Sequence, residues 1–121
     1  MTEAKLQEAV ILYLKLQHPG VRYCASLGGI RTGIKQARKA KKTGYVKGFP
    51  DLQIAEARGG YFGLFIELKK DKKAYASKSQ IDWILDLRER GYYAEVTKGL
   101  KQTIKLLDDY LNKPLTKVST Q

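Results

Sequence analysis

Phe62 to Lys69 (FGLFIELK) constrains this chain more than any other stretch. Apolar residues recur at every second position, so Phe62, Leu64, Ile66 and Leu68 fall on one face of an extended segment, and Phe65, Glu67 and Lys69 on the other. The spacing predicts a strand over Tyr61 to Leu68 with a buried face, its opposite face ending in an acid and a base two positions apart. A second strand, Asp51 to Ala57, precedes it across Arg58-Gly59-Gly60, a short glycine turn that predicts an antiparallel hairpin. In such a hairpin the start of the first strand lies beside the end of the second. Asp51 is thereby expected to converge with Glu67 and Lys69 at one end of the sheet.

Helical periodicity predicts the elements on either side. Leu6, Val10, Ile11 and Leu14 mark an amphipathic helix over Glu3 to Gln17 with Thr2 as N-cap, stopped by His18-Pro19-Gly20. His18 reads as a C-terminal cap rather than as a ligand. Val21 to Leu27 reads as a strand with Cys24 buried in it, ended by Gly28-Gly29, and Ile34 to Lys42 as a short helix with only Ile34 as a large apolar anchor. Beyond the hairpin, Ser77 and Gln80 have capping-box spacing at the head of a helix over Lys78 to Arg90. Ile81, Ile84, Leu85 and Trp83 are its expected inward residues, and Gly91 ends it. Tyr92 to Thr97 is then a strand, which makes strand–helix–strand a right-handed parallel crossover. A last helix, Leu100 to Leu111, is carried by Leu100, Ile104, Leu107 and Leu111. The order is α-β-(α)-β-β-α-β-α, a mixed sheet flanked by helices of the α/β or α+β kind. Residues 1–112 form one domain, and 113–121 a loose polar tail.

Charge narrows the function. Lys plus Arg number 23 against 12 Asp plus Glu, a formal +11 in 121 residues, which favours a polyanionic partner: nucleic acid first, an anionic membrane surface second. Ribosomal proteins share this bias, so charge alone does not make an enzyme. The excess peaks between Arg31 and Gly48, where Arg31, Lys35, Arg38, Lys41, Lys42 and Lys47 occur with no acid among them. That stretch reads as a solvated loop or as an arm contacting phosphates. It lacks the bulky apolar face of a membrane-surface helix. One cysteine permits no intramolecular disulfide, and one cysteine with one histidine excludes a His/Cys zinc cage. No apolar run approaches the ~20 residues that cross a bilayer, and no signal peptide is recognisable, so a cytoplasmic protein is expected.

The chemistry rests on Asp51, Glu67 and Lys69. Two carboxylates forced together repel, and one tends to take up a proton unless a cation lies between them. A hard divalent ion takes carboxylate and carbonyl oxygens, which Asp51, Glu67 and the Leu68 carbonyl could supply. Such an ion lowers the pKa of a bound water and neutralises charge growing on a phosphate, while Lys69 would hold the water or stabilise the phosphoryl oxygens. Taken singly, a Pro-Asp turn and a Glu-x-Lys strand end are common surface features. The order of both on one hairpin, with basic segments before and after, points to hydrolysis.

Gly48-Phe49-Pro50-Asp51 followed by Phe65-Ile66-Glu67-Leu68-Lys69 resembles the PD-(D/E)xK nuclease signature. The chain is most similar to the VRR-NUC (virus-type replication-repair nuclease) family in its small stand-alone phage and bacterial form. Leu27-Gly28-Gly29, the basic run Lys41 to Asp51, Ser77 to Gln80, Trp83, Leu87 and Gly91-Tyr92 match further features, up to about Leu111. The resemblance implies a restriction-endonuclease-like fold and Mg²⁺- or Mn²⁺-dependent phosphodiester hydrolysis of DNA. It also implies likeness to homodimeric Holliday-junction resolvases, which act on branched DNA in repair. Asp51 and Glu67 then become metal ligands, Lys69 the catalytic lysine, and Gln80 the helix glutamine near the site, although capping Ser77 is an equal reading. The family's metal-facing position on the first helix corresponds to Glu3, Gln7 or Glu8, and Glu3 and Gln7, which share a face at i, i+4, are the expected pair. The competing reading is a non-catalytic basic nucleic-acid-binding module, which needs neither Asp51 nor Glu67. A single small site per chain cannot cut both strands of a junction symmetrically, so a homodimer is expected with the nuclease reading.

Overall fold

A computed structural model of the chain describes residues 1–26 and 33–117. It contains α1 (Glu3–Gln17), β1 (Tyr23–Ala25), α2 (Ile34–Lys42), β2 (Leu52–Ile54), β3 (Leu64–Lys69), α3 (Lys78–Glu89), β4 (Tyr93–Lys98) and α4 (Leu100–Leu111). One four-stranded sheet runs β1-β2-β3-β4, antiparallel at the first two junctions and parallel at the last. The expected hairpin and the expected crossover through α3 are both present. The expected glycine turn at Gly28-Gly29 and the charge at Arg31 lie outside the described residues.

β3 organises the molecule because both its faces are covered. Leu64, Ile66 and Leu68 join Leu6, Val10 and Leu14 of α1 and Leu107 and Tyr110 of α4 in one fully dry cluster. Phe65 points the other way, into a smaller cluster with Ala94 of β4 and Ile84 and Leu87 of α3. α1 is capped as its sequence predicts, Thr2 Oγ1 accepting the Lys5 N–H. At its other end the His18 N–H bonds the Leu14 carbonyl, and the imidazole Nε2 lies 2.9 Å from Asp108 Oδ1. The Tyr13 hydroxyl donates to the same carboxylate at 2.7 Å. Asp108 thus moors α1 to α4. Its carboxyl stays below the ordinary carboxylate range: partial burial works against this, and the bonds from His18 and Tyr13 outweigh it.

Several expectations from periodicity are corrected. β2 and β3 are shorter than the alternation suggested, and residues 55–63 form a loop whose backbone groups are bonded elsewhere. The Gly59 N–H donates to the Pro114 carbonyl, the Tyr110 hydroxyl to the Glu56 carbonyl, and Thr116 Oγ1 to the Tyr61 carbonyl. Arg58 and Leu115 form an isolated bridge. The segment after α4, expected to be loose, is therefore laced to this loop as far as Thr116. Phe62 is 62% exposed instead of inward, because it precedes β3 and its ring lies on Gly91, where a Cβ would sit 2.5 Å from it. Cys24 is exposed, not buried, because β1 is an edge strand and Cys24 faces away from the α1/α4 cluster that takes up Tyr23.

The helices differ in the same way. α3 buries Ile84 and Leu87 with Trp83 beside them, leaving Ile81 and Leu85 largely in solvent. Its inward stripe is thus turned toward Gln80, Ile84 and Leu87, at i, i+4 and i+7. In α4 the buried positions are Thr103, Leu107, Tyr110 and Leu111, not Ile104. The Thr103 hydroxyl is satisfied by the Thr97 hydroxyl and the Gly99 carbonyl, each at 2.8 Å, so its burial costs little. α2 buries nothing; Ile34, its one large apolar residue, is 73% exposed.

Candidate active site at the open end of the hairpin

The antiparallel register brings the predicted residues together. Leu52 pairs with Ile66, which places Asp51, one residue before β2, beside Glu67 and Leu68 near the end of β3. Asp51 Oδ2 accepts the Leu68 N–H at 2.7 Å, closing the corner. Asp51 (9% exposed), Glu67 (1%) and Lys69 (8%) are all buried. Lys69 Nζ lies 3.3 Å from Glu67 Oε2 and 4.0 Å from Glu3 Oε1. Glu3 enters from the first turn of α1, and oxygens of Glu3, Asp51 and Glu67 all fall within 4.8 Å of one another.

These carboxylates are short of partners. Glu67 Oε1 is buried with no hydrogen bond among the described residues. Burial first, then the neighbouring Asp51 carboxyl, pushes Glu67 up to about 8 against the opposing pull of Lys69. A buried carboxylate oxygen without a donor is costly, and a cation between converging carboxylates removes both that cost and their repulsion. Three converging carboxylates are hard oxygen donors of the kind that Mg²⁺ and Mn²⁺ take. The residues present fit a divalent metal.

A cavity of about 280 Å³ opens over the corner, lined by Glu3, Gln7, Leu68, Lys69 and Gln80 together with the two hairpin carboxylates. Glu8 is not in its lining. Gln80 caps α3 and also reaches the cavity. Its Oε1 accepts the Ser77 N–H at 2.8 Å in a complete capping box, while its side chain also lines the cavity. Its amide N–H groups donate to nothing among the described residues.

The loop that delivers Asp51 is clamped to α3. The Gly48 backbone lies so close to Ser79 that a Cβ would come within 2.7 Å of its carbonyl, and φ at Gly48 is +92°. The Trp83 indole donates to the Lys47 carbonyl at 3.2 Å, and the Phe49 ring packs edge-on against Trp83 and Phe65. Tyr45, in the same segment, carries no motif that the sequence could have flagged. It is half-buried, and burial followed by the charges of Asp51 and Glu67 raises its phenol above the ordinary value.

The basic stretch stands apart from this corner. Lys35, Arg38, Lys41 and Lys42 on α2, and Lys47 after it, are all exposed. None is paired with an acid among the described residues.

The sequence model of one protein family, the VRR-NUC domain, matches residues 5–101. A solved structure described as a VRR_NUC domain protein is 32% identical, with 98% of each chain covered and a TM-score of 0.81. A second, described as a VRR_NUC domain, is 23% identical over 89% of this chain and 96% of that one, and its TM-score of 0.60 marks the same fold. No curated protein matches the sequence.

Proposed function

Since the chain belongs to the VRR-NUC family of nucleases, we propose that it is a metal-dependent endonuclease that hydrolyses phosphodiester bonds in branched DNA, such as Holliday junctions, and works as a homodimer. The observation that carries this reading is the buried corner in which Asp51, Glu67 and Lys69 meet with Glu3 alongside, one carboxylate oxygen lacking a donor among the described residues.

Asp51, Glu67 and the Leu68 carbonyl are the proposed ligands of Mg²⁺ or Mn²⁺, with Glu3 as a further carboxylate. When bound, the ion supplies a water of lowered pKa and offsets charge on the phosphate under attack. Lys69 then donates from Nζ to the attacking water or to a non-bridging phosphate oxygen, its ammonium held in place by Glu67. Gln80 contributes amide donors from the cavity wall, fixed in direction by its capping bond to Ser77. Gln7 offers a further polar group in the cavity lining. Lys35, Arg38, Lys41, Lys42 and Lys47, with Arg31, hold the duplex arms through their phosphates, which gives affinity without reading sequence. Two copies related by a two-fold axis place two such corners on one junction.

A cleavage panel tests the reading. A four-way junction, a flap and a linear duplex are each incubated with Mg²⁺, Mn²⁺ or EDTA. Cutting of the branched substrates with metal and none with EDTA is expected. DNA binding without cleavage under every condition leaves only a basic binding module.

A further inference from the structure

A second concentration of positive charge lies on the β4 side of β3, away from β2 and Asp51. The segment leaving β3 carries Lys70, Lys72 and Lys73, all exposed, and Lys101 lies exposed in the first turn of α4. No acid pairs with any of these four among the described residues. The one acid within the segment, Asp71, is engaged with the backbone: its Oδ1 accepts the N–H of Lys73 at 2.8 Å and of Ala74 at 3.2 Å. That bonding fixes the turn and sets the direction of the residue that follows it, Tyr75.

Tyr75 is a large aromatic left 78% exposed. One face of its ring is occupied, because the Lys98 ammonium sits 4.0 Å from the ring centre and also reaches the Lys72 carbonyl at 3.5 Å. Lys98 in turn is fixed. Its backbone N–H donates to Gln102 Oε1 at 2.6 Å, and it pairs in register with Lys69. Register partners on adjacent strands present their side chains on the same face, about 4.8 Å apart. A ring with a cation against one face, its other face open, and exposed lysines on the segment that leads to it therefore stands one strand away from the lysine that lines the cavity.

A surface tyrosine gains little from such exposure in water, whereas a nucleobase matches both features: a flat π-face for the open side of the ring and a phosphate for the lysines. We infer that Tyr75, braced by Lys98 and preceded on its own segment by Lys70, Lys72 and Lys73, is a stacking platform for an unpaired base of the bound DNA next to the cleavage corner. The platform gives a physical basis for preferring branched or gapped substrates, since a continuous duplex has no free base to offer. It rests on the nuclease reading for its role but not for its detection, because stacking is measured without cutting.

The test measures binding in EDTA to two DNAs of equal charge. One is a fully paired duplex, and the other carries a short unpaired segment with 2-aminopurine in it. Tyr75→Ala is expected to weaken binding of the second DNA about tenfold, the size of one base–aromatic stack. It should also abolish quenching of the 2-aminopurine, with duplex affinity unchanged. Tyr75→Phe keeps the ring and should retain both affinity and quenching. Equal losses on the two DNAs, or no loss on either, overturns the platform, whether or not the protein cleaves. Failure of metal-dependent cleavage with the stacking signature intact removes the nuclease reading and leaves the platform standing.

Discussion

The carboxylate corner and helix α2 hold two of the molecule's concentrations of charge, and they are built on opposite terms. In the corner, Asp51, Glu67 and Lys69 are each at most 9% exposed and are held by a backbone bond at 2.7 Å and an ion pair at 3.3 Å. In α2 no side chain is buried and no lysine or arginine has an acidic partner among the described residues. Bond-making chemistry depends on fixed distances, so its groups are locked into the sheet at the expense of desolvating them. Attraction to phosphate depends on charge density, and a helix with no place in the core supplies that without fixing any one contact. A helix this short is marginal in water on its own, and its like charges work against it further. The contrast predicts concentrated effects at the corner and distributed effects on α2.

The largest effect is expected where the contrast is sharpest. Lys69→Ala should lower cleavage on the order of 10²–10³-fold, and Asp51→Ala at least as much, with DNA affinity nearly unchanged. Single-turnover cleavage beside a binding titration checks this, and a parallel fall in affinity would erase the division between the two regions. On α2 the reverse holds. Replacing Lys35, Arg38, Lys41 and Lys42 with Gln should leave the cleavage rate at saturating DNA intact. It should also reduce the slope of log affinity against log salt by roughly 3 to 4, and any one of the four replaced alone should change little.

The smallest effect concerns stability. Glu67 is held at about 8 in the fold against an ordinary 4.5, so the folded state favours its protonated form. That contribution is complete below about pH 4.5 and is lost as pH rises through about 8. In EDTA, Glu67→Gln should therefore gain on the natural protein by several degrees in Tm as pH rises from 5 to 8.5. Manganese should close the gap by stabilising only the natural protein. A difference in Tm that does not vary with pH would mean that Glu67 is not strained by its surroundings.

The hairpin was legible because period-two alternation leaves few alternatives. Leu64, Ile66 and Leu68 had to share a face, and an antiparallel return had to bring Asp51 to Glu67. Gln80 was legible only in part, since the S-x-x-Q spacing announces a cap, whereas its place in the cavity wall depends on how α3 is rotated. That rotation was misjudged because Ile81 and Leu85 look like core. The helix is turned instead by the approach of Gly48 to Ser79 and by Phe65 and Ala94 beneath Ile84 and Leu87. The loop between β2 and β3 was misread as strand because alternation is blind to partners far along the chain, here Pro114 and Thr116. Cys24 was misplaced because an apolar run does not reveal that its strand lies at the edge. The charge of the Lys70–Tyr75 segment was visible from the start. The exposed ring above Lys98 required the register of β3 with β4.

Asp108 gives the order of assembly a direction. Tyr13 and His18 both bond to it, so the helix that carries Glu3 is tethered to α4, which is made after all four strands of the sheet. A growing polypeptide can pair β2 with β3 as soon as residue 69 has emerged, bringing Asp51 and Glu67 together early. The helix that carries Glu3 can pack on β3 by then, but its bonds to Asp108 form only when α4 has followed, about forty residues later. The mooring of α1 beside the hairpin carboxylates thus waits for α4 to emerge.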